Sequence, residues 1–237
     1  MKMKRDISLT IALLVFCGCL YGQYKPITVP AGTKIIESFP PSVRYMYPQF
    51  VEGEVVLNNG QSSLCMVNYN IFHDEMEFIQ NNDTVTISRK RELKYVIADV
   101  DTFIYTPGYM KNVPGYMKHI YGQTLKVYCK DKINLKEILK RGAMGAVNRS
   151  AAIASYSYVD DFIIPYTFVV PEDYVFRREI AYYIATSSGA FEPIKKRNIL
   201  KLFSFHKGEV KKYLKANKIN FEKEEDVIKL AKFLETL

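Results

Sequence analysis

The residues best suited to chemistry in this chain are His73, Asp74 and Glu75, followed closely by Glu77. A histidine beside carboxylates is the arrangement of a general base or of a metal site. A metal site needs a further histidine or carboxylate at ligand spacing, however, and no paired motif lies nearby. Asp is a natural turn residue, and apolar residues then alternate with Glu75 and Glu77 as in a half-buried strand. The pattern predicts a turn, with both glutamates facing solvent on the next strand.

Other catalytic arrangements lack some of their parts. The three histidines, His73, His119 and His206, lie apart, and the motifs Gly-x-Ser-x-Gly and His-Glu-x-x-His are absent. Cys65 or Cys129 with a distant histidine would make a thiol site, but neither has a recognisable flanking signature. The sequence favours a protein that is not an enzyme, and it implies no cofactor and no metal.

Short strands joined by turns must position these residues. Between residues 52 and 130, Asn59-Gly60 and Asn81-Asn82-Asp83 are hairpin turns, and a further bend falls at 99–101. Regular short strands at this spacing predict an antiparallel β-barrel or sandwich.

The rest of the chain divides into a mixed region and a helical tail. Asn134 and Glu137 resemble a capping pair that opens a short helix ending near Gly142. Residues 161–194 return to β-type composition and predict two or three strands. Two amphipathic helices follow, the first with Ser204 as its N-cap. The predicted fold class is therefore α+β, with an antiparallel β domain at 23–130, a mixed region with a short helix and strands at 131–195, and a C-terminal helical hairpin at 196–237.

The first 22 residues have the layout of a secretory signal peptide. A basic start precedes an almost wholly apolar run from Ile7 to Leu20, and Gly22 is a small residue at the expected cleavage point. The alternative is a lipoprotein signal in which Cys19 is lipidated. No later segment is long and apolar enough to span a bilayer. The sequence therefore predicts an exported protein of the periplasm or the extracellular space, soluble or tethered at its start.

Composition limits the remaining choices. Removal of the signal lowers the net charge from +8 to about +6 and leaves about 215 residues, enough for one large or two small domains. In an oxidising compartment Cys65 and Cys129 could form one disulfide, and buried free thiols are the alternative. The basic residues are spread along the chain, with the densest run in the final helices mixed with acids. No nucleic-acid partner is therefore expected for an exported protein of this kind.

Three short segments of the chain carry a resemblance to other proteins. Asn68-Tyr69-Asn70 and Glu75-Met76-Glu77-Phe78 follow the Asn59-Gly60 hairpin, and Lys215-Ala216-Asn217 lies in the lysine-rich tail. In these places the chain resembles a group of uncharacterised secreted proteins of the Bacteroidota. The resemblance implies export and a β-rich N-terminal part, and it implies no activity and no catalytic residue. Asp83-Thr84-Val85 is also similar to the three-residue O-glycosylation site of that phylum, with Thr84 as the acceptor.

The most distinctive loop is predicted at residues 106–119, where PGYMK occurs twice, seven residues apart. Two Pro-Gly turns favour a loop over a strand or helix. The repeat is either a neutral lengthening of a surface loop or a binding loop that presents Tyr109, Lys111, Tyr116 and Lys118. The sequence thus favours a non-catalytic cell-envelope protein that binds a protein or glycan partner through loops. The alternative is an uncharacterised envelope hydrolase or thiol enzyme.

Overall fold

The computed structural model describes residues 24–107, 113–141, 147–151, 164–186 and 189–237. The expected signal peptide at 1–22, and Cys19 within it, lie outside these ranges. Export therefore stays a prediction from the sequence.

Twelve strands of the described chain form one antiparallel sheet. They are β1 (Ile27–Val29), β2 (Val51–Leu57), β3 (Ser62–Asn70), β4 (Glu75–Gln80), β5 (Asp83–Thr86), β6 (Leu93–Ala98), β7 (Asp101–Thr106), β8 (Gly115–Tyr121), β9 (Val127–Arg141), β10 (Val147–Ala151), β11 (Asp173–Ala185) and β12 (Phe191–Pro193). Their order is β1-β11-β9-β8-β7-β6-β2-β3-β4-β5, with β10 paired to β9 and β12 paired to β11. β1 and β5 are the two ends of this strand order and do not pair with each other, so the described sheet is not closed into a barrel.

Short helices precede the sheet and longer ones follow it. They are α1 (Ile35–Ser38), α2 (Pro41–Arg44), α3 (Lys196–Leu202), α4 (Lys207–Ala216) and α5 (Glu224–Leu234), with 3₁₀ turns at Lys90–Glu92 and Ser204–His206. Within the ranges given above, none of these helices has the length and apolar character needed to cross a membrane. The predicted α+β class, an antiparallel sheet followed by C-terminal helices, is confirmed.

The predicted hairpin turns are confirmed by their backbone angles. Gly60, between β2 and β3, has a φ of 89°, and Asn81 and Asn82, between β4 and β5, have φ values of 51° and 67°. Asp99, between β6 and β7, has a φ of 54°. Gly, Asn and Asp adopt this left-handed backbone more readily than other residues, so the turn positions could be identified locally.

Two local predictions are wrong. The expected helix near 134–142 is the second half of β9, which pairs with β11 along most of its length. The side chain of Asn134 does not cap a helix, because its amide donates to Glu179 Oε2 on β11 at 2.9 Å. Pairing with a distant strand has overridden the local helix signal. Ser204 lies in a 3₁₀ turn, and α4 begins three residues later, at Lys207.

The largest core cluster joins strands that are distant in the sheet order. Val29 of β1 and Phe176 of β11 belong to the same buried cluster as Tyr69 of β3. The backbone N–H of Ile133 in β9 donates to the carbonyl of Ile71, just after β3, at 2.9 Å. The sheet therefore curls until its β3 and β9 regions contact each other across the core. The boundary expected between residues 130 and 131 falls inside β9.

The C-terminal helices cover a second cluster on the other part of the sheet. Val210 and Leu214 of α4 pack with Leu230 of α5 against Val127 and Cys129 of β9. Two short amphipathic helices are stable only when their apolar faces find such a partner. The predicted helical pair is confirmed, and α3 is an additional helix that the sequence patterns did not indicate.

Candidate functional site

The turn between β3 and β4 carries the first residue of the candidate site. Asp74 ends this turn with a φ of 58°, a conformation that Asp tolerates better than most residues. The predicted turn at His73 and Asp74 is thus confirmed. The Asp74 side chain is only 9% exposed, however, so its carboxylate points into the protein.

Among the described residues, four donors surround the Asp74 carboxylate. Oδ1 accepts hydrogen bonds from the Tyr69 hydroxyl at 2.7 Å and from the backbone N–H of Tyr116 at 3.2 Å. Oδ2 lies 2.5 Å from Lys130 Nζ and 3.7 Å from Lys132 Nζ, both on β9. These five residues are called the Asp74 cluster below. Charge-assisted hydrogen bonds of this kind offset the cost of removing the ions from water.

The Asp74 cluster also holds the start of β8. Lys130 Nζ donates to the carbonyl of Pro114 at 2.8 Å, in addition to its contact with Asp74. Gly115 has a φ of 90°, and a Cβ atom on it would overlap both Asp74 Oδ2 and Lys130 Nζ. Only glycine suits that backbone and that close approach. The chain is therefore fixed to two buried charges where it enters β8.

The other side of the loop between β7 and β8 is tied to the same place. The hydroxyl of Thr106, the last residue of β7, donates to the carbonyl of Val113 and lies 3.2 Å from that of Gly115. Thr106 is 1% exposed and Val113 8%. Both ends of the loop are thus joined by buried polar contacts, while its tip, 108–112, lies outside the described residues.

The predicted binding residues divide between the loop and the sheet. Tyr109 and Lys111 lie outside the described residues, so their role stays a prediction. Tyr116 has no exposed surface and packs on Tyr105 with ring centroids 5.1 Å apart, which corrects its expected place on a surface. Lys118 is also part of β8, with Nζ 3.6 Å from Asp101 Oδ1. The loop is shorter than the sequence suggested, because β8 begins at Gly115.

Both glutamates of β4 are buried, so the prediction that they face solvent is wrong. Glu77 accepts hydrogen bonds from the Tyr45 hydroxyl at 2.5 Å and from Asn70 Nδ2 at 2.7 Å. Glu75 forms an ion pair with Lys90. Burial raises the pKa of Glu75, although Lys90 opposes the shift. The residues that cover this face come from distant parts of the chain, which the alternation within β4 cannot reveal.

His73 lies in the same covered region. Its Nε2 is 3.1 Å from the carbonyl oxygen of Ile164, and its ring centroid is 4.2 Å from that of Tyr166. The guanidinium carbon of Arg44 also lies near this tyrosine, 4.9 Å from the Tyr166 ring centroid. Burial lowers the pKa of His73, because it disfavours the charged imidazolium. The arrangement holds the His73 ring between two segments of the fold.

This burial predicts a pH dependence of stability. The unfolded chain binds a proton at His73 near pH 6.5, whereas the folded chain binds it only at lower pH. The unfolded state therefore takes up more protons, and the contribution of His73 to stability falls as the pH drops below about 6.5. His73→Gln keeps an amide donor for Ile164 but cannot titrate. Urea unfolding at several pH values between neutral and pH 5 measures the free energy of unfolding. This free energy should fall less steeply with decreasing pH in His73→Gln than in the wild type. An equal fall in the two proteins would contradict the argument.

Cys65 and Cys129 are free thiols, which is the alternative that the sequence left open beside a disulfide. Cys65 lies on β3 and Cys129 on β9, and β8, β7, β6 and β2 separate those strands in the sheet order. Burial raises the pKa of both thiols, that of Cys129 to about 12. A nucleophilic cysteine needs a lowered pKa, so this environment does not support a thiol enzyme.

Thr84 is exposed on β5, the strand at one end of the sheet. Its position meets the requirement that an acceptor be accessible. Glycosylation of Thr84 stays a prediction.

Among the residues that the structure describes, no group of three or more His, Cys, Asp or Glu side chains could hold a metal ion.

Comparisons with protein-family models, with curated proteins and with solved structures find no match. The role of the chain must therefore be inferred from its own residues.

Proposed function

We propose that this protein is a non-catalytic, exported cell-envelope protein that binds a protein or glycan partner through the loop between β7 and β8. The observation that carries the proposal is the Asp74 cluster, which fixes the base of this loop by buried charges. The basic and apolar layout of residues 1–22 supports export. The segments that resemble secreted Bacteroidota proteins agree with this placement.

The cost of the Asp74 cluster favours a role beyond stability. Burying an ion pair carries a desolvation penalty, and an apolar replacement often stabilises a core as well or better. The contacts of Asp74 and Lys130 join the β3–β4 turn, β9 and the base of the loop, three segments far apart in sequence. Directional contacts of this kind fix a geometry, and a loop on a fixed base loses less conformational entropy when it binds.

The loop tip has the residue types for recognition. Residues 107–111 are the first copy of PGYMK and place Tyr109 and Lys111 next to a Pro-Gly turn. Tyrosine suits partly solvated interfaces because its side chain combines a flat apolar ring with a hydroxyl and has few rotatable bonds. Lysine adds a charged donor for acidic or hydroxyl groups. These chemistries fit both a protein surface and a glycan.

We also propose a sandwich-like arrangement of the sheet. The shared cluster of Val29, Tyr69 and Phe176, and the bond from Ile133 to Ile71, support two facing halves with one core between them. Loops at the end of such a scaffold are held by rigid strands, as binding loops commonly are.

The test replaces residues 108–112 by Gly-Ser-Gly-Ser-Gly, which keeps the loop length and leaves β8 intact. Wild-type and replaced proteins are used as baits on envelope fractions, before and after protease or periodate treatment. The wild type should capture a component that the replaced protein does not. Loss of capture after protease treatment indicates a protein partner, and loss after periodate indicates a glycan. Equal recovery by the two baits would contradict the proposal.

Once the captured component is known, point variants test which residues of the loop bind it. Tyr109→Ser and Lys111→Ser should each weaken its binding by about tenfold or more, as substitutions at the centre of an interface do. Tyr24→Ser and Lys34→Ser, at exposed positions elsewhere, should leave the affinity unchanged. Circular dichroism and urea unfolding confirm that all four variants are folded.

A further inference from the structure

Residues 195–218 comprise α3, α4 and the 3₁₀ turn that joins them, and this segment is called the α3–α4 corner below. Its formal charge equals the net charge of the whole chain. It contains nine of the 33 Lys and Arg residues and one of the 25 Asp and Glu residues. The rest of the chain therefore has 24 of each and no formal net charge. The basic residues are spread along the chain, as the sequence suggested, but the net positive charge is concentrated in this one segment.

The charges of the α3–α4 corner all face solvent. Its nine basic residues are exposed: Lys195, Lys196, Arg197, Lys201, Lys207, Lys211, Lys212, Lys215 and Lys218. No carboxylate of the described residues lies within 4.0 Å of any of these nine side chains, and the one acid of the segment, Glu209, has its Oε1 3.3 Å from His206 Nδ1. Lys207, Lys211 and Lys215 are spaced four residues apart and so follow one side of α4.

An unusual apolar group lies at the tip of the corner. Phe205 is 99% exposed and Leu202 is 39% exposed, between Lys201 and Lys207 in the sequence. Val210 and Leu214 of α4 are buried and fix the helix to the body of the protein, while its lysines stay exposed. The geometry leaves an apolar tip within a basic surface.

We propose that the α3–α4 corner binds the surface of an anionic phospholipid bilayer. Phe205 and Leu202 enter the boundary between headgroups and acyl chains, and the lysines contact the lipid phosphates. Apolar insertion combined with basic residues near the surface is the physical basis of peripheral membrane binding. The residues of this surface are not those of the loop between β7 and β8, so each proposal has its own test.

The apolar tip favours a bilayer over a soluble polyanion. A nucleic acid would contact the lysines and could stack a base on Phe205, but it gains nothing from the exposed side chain of Leu202. Hydrocarbon accommodates both side chains. The basic residues of α4 also lie on an outward helical face rather than in a groove that follows a strand.

A fluorescent reporter at the tip tests the proposal. The chain has no tryptophan, so Phe205→Trp introduces the sole indole of the protein. Vesicles of equimolar phosphatidylglycerol and phosphatidylcholine should shift its emission to the blue and protect it from acrylamide, whereas pure phosphatidylcholine vesicles should not. Val100→Trp, at a position 86% exposed in the β6–β7 turn, is the control and should not respond. Because each reporter is local, binding through another part of the chain does not shift the Phe205→Trp emission.

Charge variants separate a specific surface from general attraction. Replacing Lys207, Lys211 and Lys215 by Gln should lower the vesicle partition coefficient about 100-fold, at about fivefold for each basic residue near the surface. The matched control replaces three exposed lysines elsewhere by Gln and should stay within about twofold of the wild type. Those control positions are Lys34, Lys94 and Lys140. Equal losses in the two triple variants would overturn the proposal.

Two further outcomes would also overturn it. An unshifted Phe205→Trp emission with anionic vesicles would show that the tip does not enter the bilayer. The same blue shift with heparin or single-stranded DNA as with vesicles would identify a polyanion site instead. The changed side chains are exposed, so folding is retained in each variant and is checked by circular dichroism.

Discussion

Asp74→Asn is expected to lower the free energy of unfolding by about 3 kcal/mol, in the range seen when one partner of a buried ion pair is removed. Asparagine keeps the shape of the side chain and tolerates the φ of 58°, so the backbone of the turn is not changed. What is removed is the carboxylate charge 2.5 Å from Lys130 Nζ, whose side chain is 10% exposed. Urea unfolding of the two proteins at neutral pH measures the difference.

Asp99→Asn is the matched control for this substitution. Asp99 has nearly the same backbone conformation, with a φ of 54°, but it is exposed in the turn between β6 and β7. The same chemical change there should alter stability by no more than about 0.5 kcal/mol. In Asp74→Asn, the backbone N–H of Tyr116 should also exchange faster with solvent, because it donates to Asp74 Oδ1. Equal stability losses in the two variants would show that the Asp74 cluster does not contribute as argued.

Turns and strands were predictable because their signals are local. Asn81, Asn82 and Gly60 occupy positions where the backbone is left-handed, and few other residues accept that conformation. Alternating apolar residues then indicated where strands begin and end. The same local rule failed for Glu75 and Glu77, because Lys90 and Tyr45, which contact them, lie outside their strand.

The repeated PGYMK segment shows why the site itself could not be read from sequence. Both copies have the same five residues, but Gly115 of the second copy begins β8 and Tyr116 is fully buried. Position in the sheet, rather than residue type, makes the second copy structural. Asp74 and Lys130 are 56 residues apart, and no local spacing pairs them. Their contact follows from the curling of the sheet, a property of the whole chain.

Gly115→Ala is expected to have the second large effect, a loss of about 4 kcal/mol or more in the free energy of unfolding. Two causes add together. The φ of 90° is unfavourable for any residue with a Cβ atom, and the new methyl group would overlap Asp74 Oδ2 and Lys130 Nζ. Relief of the overlap requires the ion pair to separate, which exposes the cost of burying its charges. Urea unfolding again supplies the measurement.

Gly60→Ala separates the two causes. Gly60 has a φ of 89°, but no atom lies within 4 Å of the point that a Cβ would occupy in this hairpin turn, so only the backbone cost remains, about 1–2 kcal/mol. The excess loss in Gly115→Ala over Gly60→Ala then measures how tightly the Asp74 cluster is packed. Because the two changes act on the same contact, combining Gly115→Ala with Asp74→Asn should cost less than the sum of the single losses. Equal losses in Gly115→Ala and Gly60→Ala would mean that the cluster yields without cost, and a cluster that yields cannot hold the base of the loop in one geometry.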